Sequence, residues 1–454
     1  MMRKTLLGIF LALAVAVMAG QRSPEQAAAI AAQFTNEQPQ LRLLHKAPRT
    51  AATMRLVHQA KRNNSEEAAY YVFNQENKNG FVIVSADDRT AKDVLIYSTE
   101  GAFNPETVNP HFQWWLQRFT DEISSIEGEA EMSMAPQIEP AKSPIAPLLK
   151  NQDGEEITWY QEAPYYNYCP IDRLDNTRCL TGCVATAASM VMYKWRWPEK
   201  GVGTSSYTWH DCLETDWWGN CRNSYDTILS ANYGETTYQW DNMLPSYANA
   251  YPKPSGTQKA AVAKLMYHVG VSSEMEYGGN TTGGSGALLD YLAYGLMTHF
   301  RYRVTKFLTM YSKYYYGEAH DSVPAEYNVT VDKFTTYFNA ELEAGRPIVM
   351  GGRDSSSGGH AFVCDGRDND GRYHINWGWE GDGNCYTTLT TLQPDGESYK
   401  FNEGIDAVLG IEPDIKEAIE QVALPEKATK VLENGQVVIL REGVRYTILG
   451  QLIQ

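Results

Sequence analysis

The sequence predicts an α+β chain, and three observations carry that prediction. Small-residue helix patterns occupy the middle of the chain, at "GCVATAASMVMYKWRWP" and at "GTQKAAVAKLMYHVG", Gly256 to Gly270. Behind them, "GRPIVMGG", "HAFVCDGRD", "RYHINWGW" and "CYTTLTTL" alternate short β-rich runs with Gly, Asp and Asn turns, as an antiparallel sheet does. Ahead of both lies a smaller unit with helices and strands of its own, so a helical front half and a strand-rich back half follow an α+β piece.

The first twenty residues, "MMRKTLLGIFLALAVAVMAG", carry Arg3 and Lys4, an apolar run from Leu6 to Met18 and small residues suited to cleavage after Ala19, the pattern of a secretory signal over 1–19. A membrane anchor is the alternative, but the run is short for a bilayer and lacks flanking stop-transfer charges. No cysteine follows the run to support a lipid anchor, and no later segment is apolar enough to span a membrane. Residues 20–147 form the leading unit: an Ala-rich helix ("SPEQAAAIAAQF"), strand-like "AAYYVFNQ" and "GFVIVSAD" joined through "ENKNG", whose Asn79 and Gly80 favour a tight turn, and an amphipathic helix within Asn109 to Met132. It closes on "SMAPQIEPAKSPIAPLLK", where four prolines make an exposed, easily cut connector. Residues 148–413 hold every cysteine. After Pro413 comes a helix candidate, "DIKEAIEQVAL". Three short strand-like runs follow, separated by Asn434-Gly435 and Glu442-Gly443, so 414–454 reads as a small β-meander tail.

A chain of 454 residues with 43% hydrophobic and 12% aromatic content builds a substantial core. A formal charge of −16, with no basic run beyond the first few residues, excludes nucleic acid and anionic membrane as partners, because both demand a basic surface. The seven cysteines are an odd number for an exported chain. The closest spacings pair Cys169 with Cys179, Cys212 with Cys221 and Cys364 with Cys385, leaving Cys183 unpaired and so a candidate reactive thiol. Zinc is the rival use of cysteine, but no pair has C-x(2–4)-C spacing with a matching second half, and no metal is expected.

Cys183 directly follows Gly182 and opens a small-residue helix that Pro198 ends. A helix N-terminus stabilises a thiolate through unpaired N–H groups and the positive dipole end. A buried, inert packing cysteine is the plainer reading of this stretch alone. A cysteine hydrolase also needs an imidazole, brought close by the fold. Among nine histidines, His360 stands out in "SSSGGHAFVCDG", where Gly358 and Gly359 let a backbone approach closely and the ring projects from a strand end. Sixteen residues on, Asn376 can accept a hydrogen bond from the imidazole and Trp377 can shield it. His374 is the competitor, on the same strand face as Asn376 but without flanking glycines. Gln161, 22 residues before Cys183 in "ITWYQEAPYYN", could donate to an oxyanion, although a lone Gln is normally solvated surface.

In these surroundings, "TGCVATA" with its following Pro198, Lys200 and Gly201, "YQWDNMLPSY", "HVGVSSEMEYG", "GGHAFVCDG", "YHINWGW" and "AVLGIEP" resemble, in form and order, the streptopain family of papain-like cysteine peptidases. The resemblance covers nearly all of 148–413. It implies a papain-like fold, with a helical left subdomain and an antiparallel β-rich right subdomain around the site. It further implies Cys183 as nucleophile, His360 as base and acid, Gln161 with the Cys183 N–H as oxyanion donors, and Asn376 with Trp377 as the orienting pair. The implied enzyme is a cofactor-free endopeptidase working on protein or peptide substrates through a thioester. An apolar preference two residues before the scissile bond would be walled by Tyr277, Gly278 and Ser285, with Gly358 and Gly359 beside the substrate.

The family makes zymogens, and "GFVIVSADDR", Gly80 to Arg89, resembles its prodomain, which inserts a side chain at the active site and blocks it until cut away near residues 135 to 150. The tail resembles C-terminal modules of proteins exported by the Bacteroidetes type IX route. That makes the expected address extracellular, or the cell surface through the tail. Two features depart from the family: "LQPDGESYKFNEGIDAV" is shorter and more charged than the glycine-rich loop found there, and the extra cysteines are foreign to it. Acyl transfer to amines by the same dyad, or a catalytically dead binding protein on this fold, are the other classes open to the sequence.

Overall fold

The computed structural model describes residues 20–44, 47–126, 143–216, 221–280, 283–304, 306–310, 314–315, 318–319, 331–354, 358–389, 405–415, 429–433, 436–441 and 444–447. The expected signal, most of the Pro-rich connector and the helix candidate after Pro413 therefore lie outside the described residues.

The leading unit starts with helix α1 (Pro24–Glu37). Ser23 and Gln26 close a capping box, Pro24 opens the first turn, and Ala27, Ala28, Ala31, Ala32 and Phe34 form its buried stripe at helical spacing. A single turn, α2 (Pro39–Arg42), follows. Strands β1 (Arg55–Lys61), β2 (Ala68–Asn74), β3 (Phe81–Ser85) and β4 (Val94–Ser98) then pair antiparallel in sequence order. Gly80, at the turn into β3, has φ +101, and a Cβ there would lie 1.8 Å from the Ser98 carbonyl oxygen, so only glycine fits. Helix α3 (Pro110–Ser124) is capped by Asn109, whose side chain accepts from the Phe112 N–H at 2.7 Å, and it buries Phe112, Trp115, Leu116, Phe119 and Ile123.

In the front half, the two-residue strands β5 (Ile171–Asp172) and β6 (Thr177–Arg178) precede helix α4 (Cys183–Trp195). Strands β7 (Thr204–Thr215) and β8 (Cys221–Asn232) make a long hairpin, and helices α5 (Gly256–Ser272) and α6 (Leu289–His299) pack around α4, with β9 (Tyr302–Arg303) after them. The small side chains of α4 allow this close packing: Ala185, Ala187 and Ala188 are buried together with Met190 and Val191.

The back half contains β10 (Lys306–Met310), β11 (Tyr314–Tyr315), β12 (Glu318–Ala319), helix α7 (Val331–Glu343), β13 (Ile348–Asp354), β14 (Gly358–Arg367), β15 (Tyr373–Asn376), β16 (Cys385–Thr387), β17 (Ile405–Leu409) and β18 (Glu412–Pro413). In the tail, β19 (Thr429–Glu433), β20 (Gln436–Arg441) and β21 (Val444–Thr447) form a separate three-stranded meander, as their turn signals predict.

One sheet of ten strands runs through the leading unit and the back half in the order β1-β2-β3-β4-β16-β15-β14-β13-β17-β10. The period-two alternation of β13 and β14 divides the core. Val349, Ala361 and Val363 face the helices around α4, whereas Ile348, Met350, Phe362 and Cys364 face α3 and α7. The two units join at β4 and β16, where Tyr97 pairs with Tyr386 and Ile96 with Thr387, the tyrosine rings stacking at 5.0 Å. Beside that join, Trp115 donates from Nε1 to the Thr387 hydroxyl at 2.9 Å and packs on Phe362 and Trp377. The leading unit thus shares both a hydrogen-bonded ladder and an apolar core with the back half. Residues 143–149 belong to the back half, since Ile145 and Arg367 exchange both backbone bonds and Leu148 and Leu149 donate to Asp365.

The expected cysteine pairing is corrected. Cys212 and Cys221 form a disulfide at the end of the β7–β8 hairpin, while Cys169, Cys179, Cys364 and Cys385 are buried free thiols, like Cys183. Cys364 and Cys385 lie on either side of Ile375, two strand spacings or about 9.5 Å apart, beyond the reach of a disulfide. Cys169 and Cys179 are both buried and unbonded to each other, and burial pushes the Cys169 thiol up. Among the described residues no helix is long and apolar enough to cross a membrane, and no group of three or more His, Cys, Asp or Glu could hold a metal ion.

Replacing Trp115 with alanine removes a fully buried indole from the shared core, a change that costs about 3–5 kcal/mol. The expected outcome is a lowered unfolding midpoint and faster limited proteolysis within residues 20–126, with residues 143–389 affected less.

Candidate active site

The turn that presents Cys183 is held from several sides. Gly182 has φ +83, and a Cβ there would approach the Met275 sulfur to 2.6 Å and the Ser285 carbonyl oxygen to 3.1 Å, so the position admits only glycine. The Gln161 carbonyl accepts from the Thr181 N–H at 3.2 Å, the Thr181 and Thr186 hydroxyls meet at 2.9 Å, and Thr186 donates to the Gly182 carbonyl at 3.0 Å. Ser285 donates to the Leu180 carbonyl at 2.8 Å and accepts from the Gly278 N–H at 3.0 Å. Cys183 is therefore the first residue of α4, with its sulfur at the free N–H groups of the helix start. Burial pushes its thiol above the ordinary value, against the backbone N–H groups of Ala361, Val184 and Cys183, which favour the thiolate.

His360 reaches the same place from the sheet. It pairs with Gly352 on β13, and the neighbouring Gly351 lets the strands close, since a Cβ there would lie 2.5 Å from the His360 carbonyl oxygen. The residue after His360, Ala361, lines the same cavity as Cys183, so nucleophile and imidazole come from helix and strand to one place. Cys183 and His360 line one cavity of about 780 Å³, with Gly359 and Asp406 on the sheet side. That volume suits several residues of an extended peptide. The His360 ring stacks on Phe362 at 5.9 Å, Phe362 meets Trp377 at 4.7 Å, and Trp377 lies 6.0 Å from Trp115 of the leading unit.

The remaining expected residues stand elsewhere. Gln161 is buried and close in the chain path to Cys183, but it is not among the residues lining the cavity. The Asn376 amide donates to the Ile157 carbonyl at 2.8 Å and accepts from the Gly378 N–H at 3.0 Å, so with the leading unit in place it holds loops together and does not bond to the imidazole. Trp377 donates from Nε1 to the Gly383 carbonyl at 2.9 Å. His374, the competitor of His360, is engaged by Asp365 at 2.6 Å and does not line the cavity.

The residues expected as a substrate wall, Tyr277, Gly278 and Ser285, are not among the described residues lining this cavity. Tyr277 is buried with its hydroxyl toward Gly270 and Cys169, and Gly278 and Ser285 brace the Cys183 turn. The loop is the expected one, but along this extended stretch Met275 and Tyr277 point inward, so Glu274 and Glu276 line the cavity, together with Gly286. Gly359 lines it too, whereas Gly358 pairs with Asp354 at the end of the hairpin. Sequence reasoning missed the wall made by Tyr207, Thr208 and His210 of β7. None of the described residues of 20–126 is among those lining this cavity. Gly80 to Arg89 instead supply β3 and the turn after it, where buried Asp87 bonds to Arg62 and Arg89, so the expected insertion of a side chain from that stretch is not what the described residues make.

Comparison with known proteins gives the following. The profile of the "Peptidase C10 family" matches residues 159–386, and that of the "Spi protease inhibitor" matches residues 19–123. The thiol protease/hemagglutinin PrtT of Porphyromonas gingivalis is 29% identical over 381 residues, which are 81% of this chain, and the match spans 40% of that protein's length. Streptopain of Streptococcus pyogenes is 28% identical over 362 residues, covering 76% of this chain and 80% of streptopain. The solved structure of a Prevotella intermedia prointerpain A fragment superposes with a TM-score of 0.59 at 30% identity, covering 79% of this chain and 98% of the fragment.

Gly182→Ala tests the turn. A side chain at this φ costs about 1–3 kcal/mol before the contact with Met275 is counted. The expected outcome is a lower melting temperature and a changed rate of Cys183 alkylation, read by peptide mass spectrometry.

Proposed function

The chain belongs to the peptidase C10 family of cysteine peptidases, and from that premise we propose that it is a secreted endopeptidase made as a zymogen, with Cys183 and His360 as its dyad. The observation that carries this reading is that Cys183, at the start of α4, and His360, from the sheet, line one cavity of peptide size. In the proposed cycle His360 takes the thiol proton and the thiolate attacks the scissile carbonyl carbon. The Cys183 N–H and the Gln161 amide stabilise the oxyanion, for which the Gln161 side chain turns into the cavity. His360 returns the proton to the leaving amine, and water, deprotonated by the same imidazole, hydrolyses the thioester. Asn376 and Trp377 act on His360 from behind once the leading unit is gone. Ala287 and Leu289 in the cavity wall support an apolar preference two residues before the scissile bond.

Residues 20–142 are the inhibitory prodomain in this reading. The stack from Trp115 through Trp377 and Phe362 to His360 gives the prodomain a hold on the imidazole. The activating cut falls before Ser143, because Ile145 to Leu149 are bonded into β14 and its Asp365 and remain with the mature enzyme. Residues 1–19 direct export, and the tail from 414 serves secretion or surface retention.

Cys183→Ala is expected to lose peptide hydrolysis by more than about a thousandfold and to stop self-processing, and His360→Ala to do nearly as much. Hydrolysis of a fluorogenic peptide, with the new N-terminus read by mass spectrometry, checks both. A Cys183→Ala protein that still matures itself and cleaves peptides overturns the reading.

A further inference from the structure

Resting on that reading of the cavity, we propose that Glu274 and Glu276 make it selective for substrates with a lysine or arginine next to the scissile bond. Both residues line the cavity that Cys183 and His360 line, as exposed side chains within reach of a substrate bound there. Their backbone is firmly seated. Met275 lies under Gly182, its carbonyl accepts from the Tyr207 hydroxyl, and the Tyr277 carbonyl accepts from Trp209 Nε1 at 3.0 Å. Glu276 also exchanges both backbone bonds with Gly286, at 2.9 and 3.0 Å. With the odd positions anchored inward, the two carboxylates project on the other side of the strand.

Among the described residues the cavity lining contains no Lys or Arg, and neither Glu274 nor Glu276 forms an ion pair. His210 is the nearest basic group, and its Nδ1 is engaged by Asp226 at 2.7 Å. Asp406 adds a third carboxylate on the sheet side. The pair is thus a like-charge pair waiting for a counter-charge: partial burial, with Glu274 adding to it, lifts the Glu276 carboxyl above its ordinary range, and His210 only partly offsets this. A guanidinium or ammonium group on the substrate supplies the missing cation, and a planar guanidinium can engage two carboxylates at once. The β7–β8 hairpin, tied by the Cys212–Cys221 disulfide, forms the wall carrying Thr208 and His210 beside them. The apolar preference belongs to a different part of the cavity, at Ala287 and Leu289.

The full chain, after processing, is given a peptide series in which each of the two positions on either side of the scissile bond carries Arg, Lys, Gln or Glu in turn. At one position, Arg and Lys peptides should be cleaved with kcat/KM about tenfold above their Gln counterparts, a preference that shrinks as ionic strength is raised. In Glu274→Gln/Glu276→Gln the ratio should fall toward one, and in Glu276→Lys it should turn toward Glu peptides, in protein that still alkylates at Cys183 with iodoacetamide. Equal cleavage of basic and neutral peptides by the unaltered enzyme, or a preference that survives the double substitution, overturns the inference and leaves the peptidase reading standing. Failure to cleave any peptide of the series overturns the peptidase reading itself.

Discussion

The pairing of β4 with β16 is the constraint on which the rest of the structure depends. Two residues, Tyr386 and Thr387, carry the register that joins the prodomain strands to the catalytic sheet. A ladder this short is weak alone. Packing on both faces makes it firm. On one side Trp115, Phe112 and Trp377 fill the core under α3, and on the other Arg372 lies over the Phe34 ring at 4.7 Å and donates to the Val94 carbonyl at 3.1 Å. The Lys92 ammonium and the Gln38 amide both reach Asp370, at 2.7 and 2.8 Å. Ladder, aromatic core and polar rim form together, so docking of the leading unit is one cooperative event.

On the proposed reading, this arrangement connects the leading unit to the imidazole through packed rings. Phe362 is next but one to His360 on β14, so both point to the same face, and Trp377 touches Phe362 from the strand end of β15. Helix α3 presses on this pair. The Asn376 amide, meanwhile, is committed to Ile157 and Gly378. A papain-like mechanism needs the imidazole, the amide and the thiol in one line of proton exchange. In the full chain burial pushes the Cys183 thiol up, against the backbone N–H groups at the helix start.

Much of this was legible in the sequence, because short-range periodicity fixes local structure. The stripe of α1, the capped start of α3, the small-residue helix after Gly182 and the four strands β13 to β16 all follow from spacings within a few residues. So does the glycine-flanked position of His360. What was not legible depends on phase and on long-range order. The stretch from Glu274 to Gly286 was singled out, but whether its odd or even residues face the cavity depends on Met275 seating beneath Gly182, a contact across the fold. The β7–β8 hairpin buries little beyond Trp209, Leu229 and Ala231, so it gives almost no hydrophobic alternation to read. Cysteine spacing misled for a related reason. Cys364 and Cys385 are close in sequence, yet an intervening strand holds them apart, and with five free thiols the odd count does not single out Cys183. Its distinction comes from the helix start and from Ala361.

The same architecture bears on maturation. A cut ahead of Ser143 severs the connector but breaks none of the contacts at β4 and β16, so on the proposed reading a nicked chain remains a docked complex. What the cut removes is the tether, which holds the prodomain at an effective concentration of the order of millimolar; docking then becomes an ordinary bimolecular equilibrium. Release exposes the edge of β16 and the face of Trp377, an unpaired strand edge beside an aromatic surface. β16 is only three residues long, which limits its use as a template for other chains. Ser143 to Leu149 stay behind, bonded to the far end of β14 at Asp365 and Arg367, and keep the strand that carries His360 anchored when its neighbour unit leaves. The sheet can therefore lose four strands on one side without losing the position of the imidazole on the other.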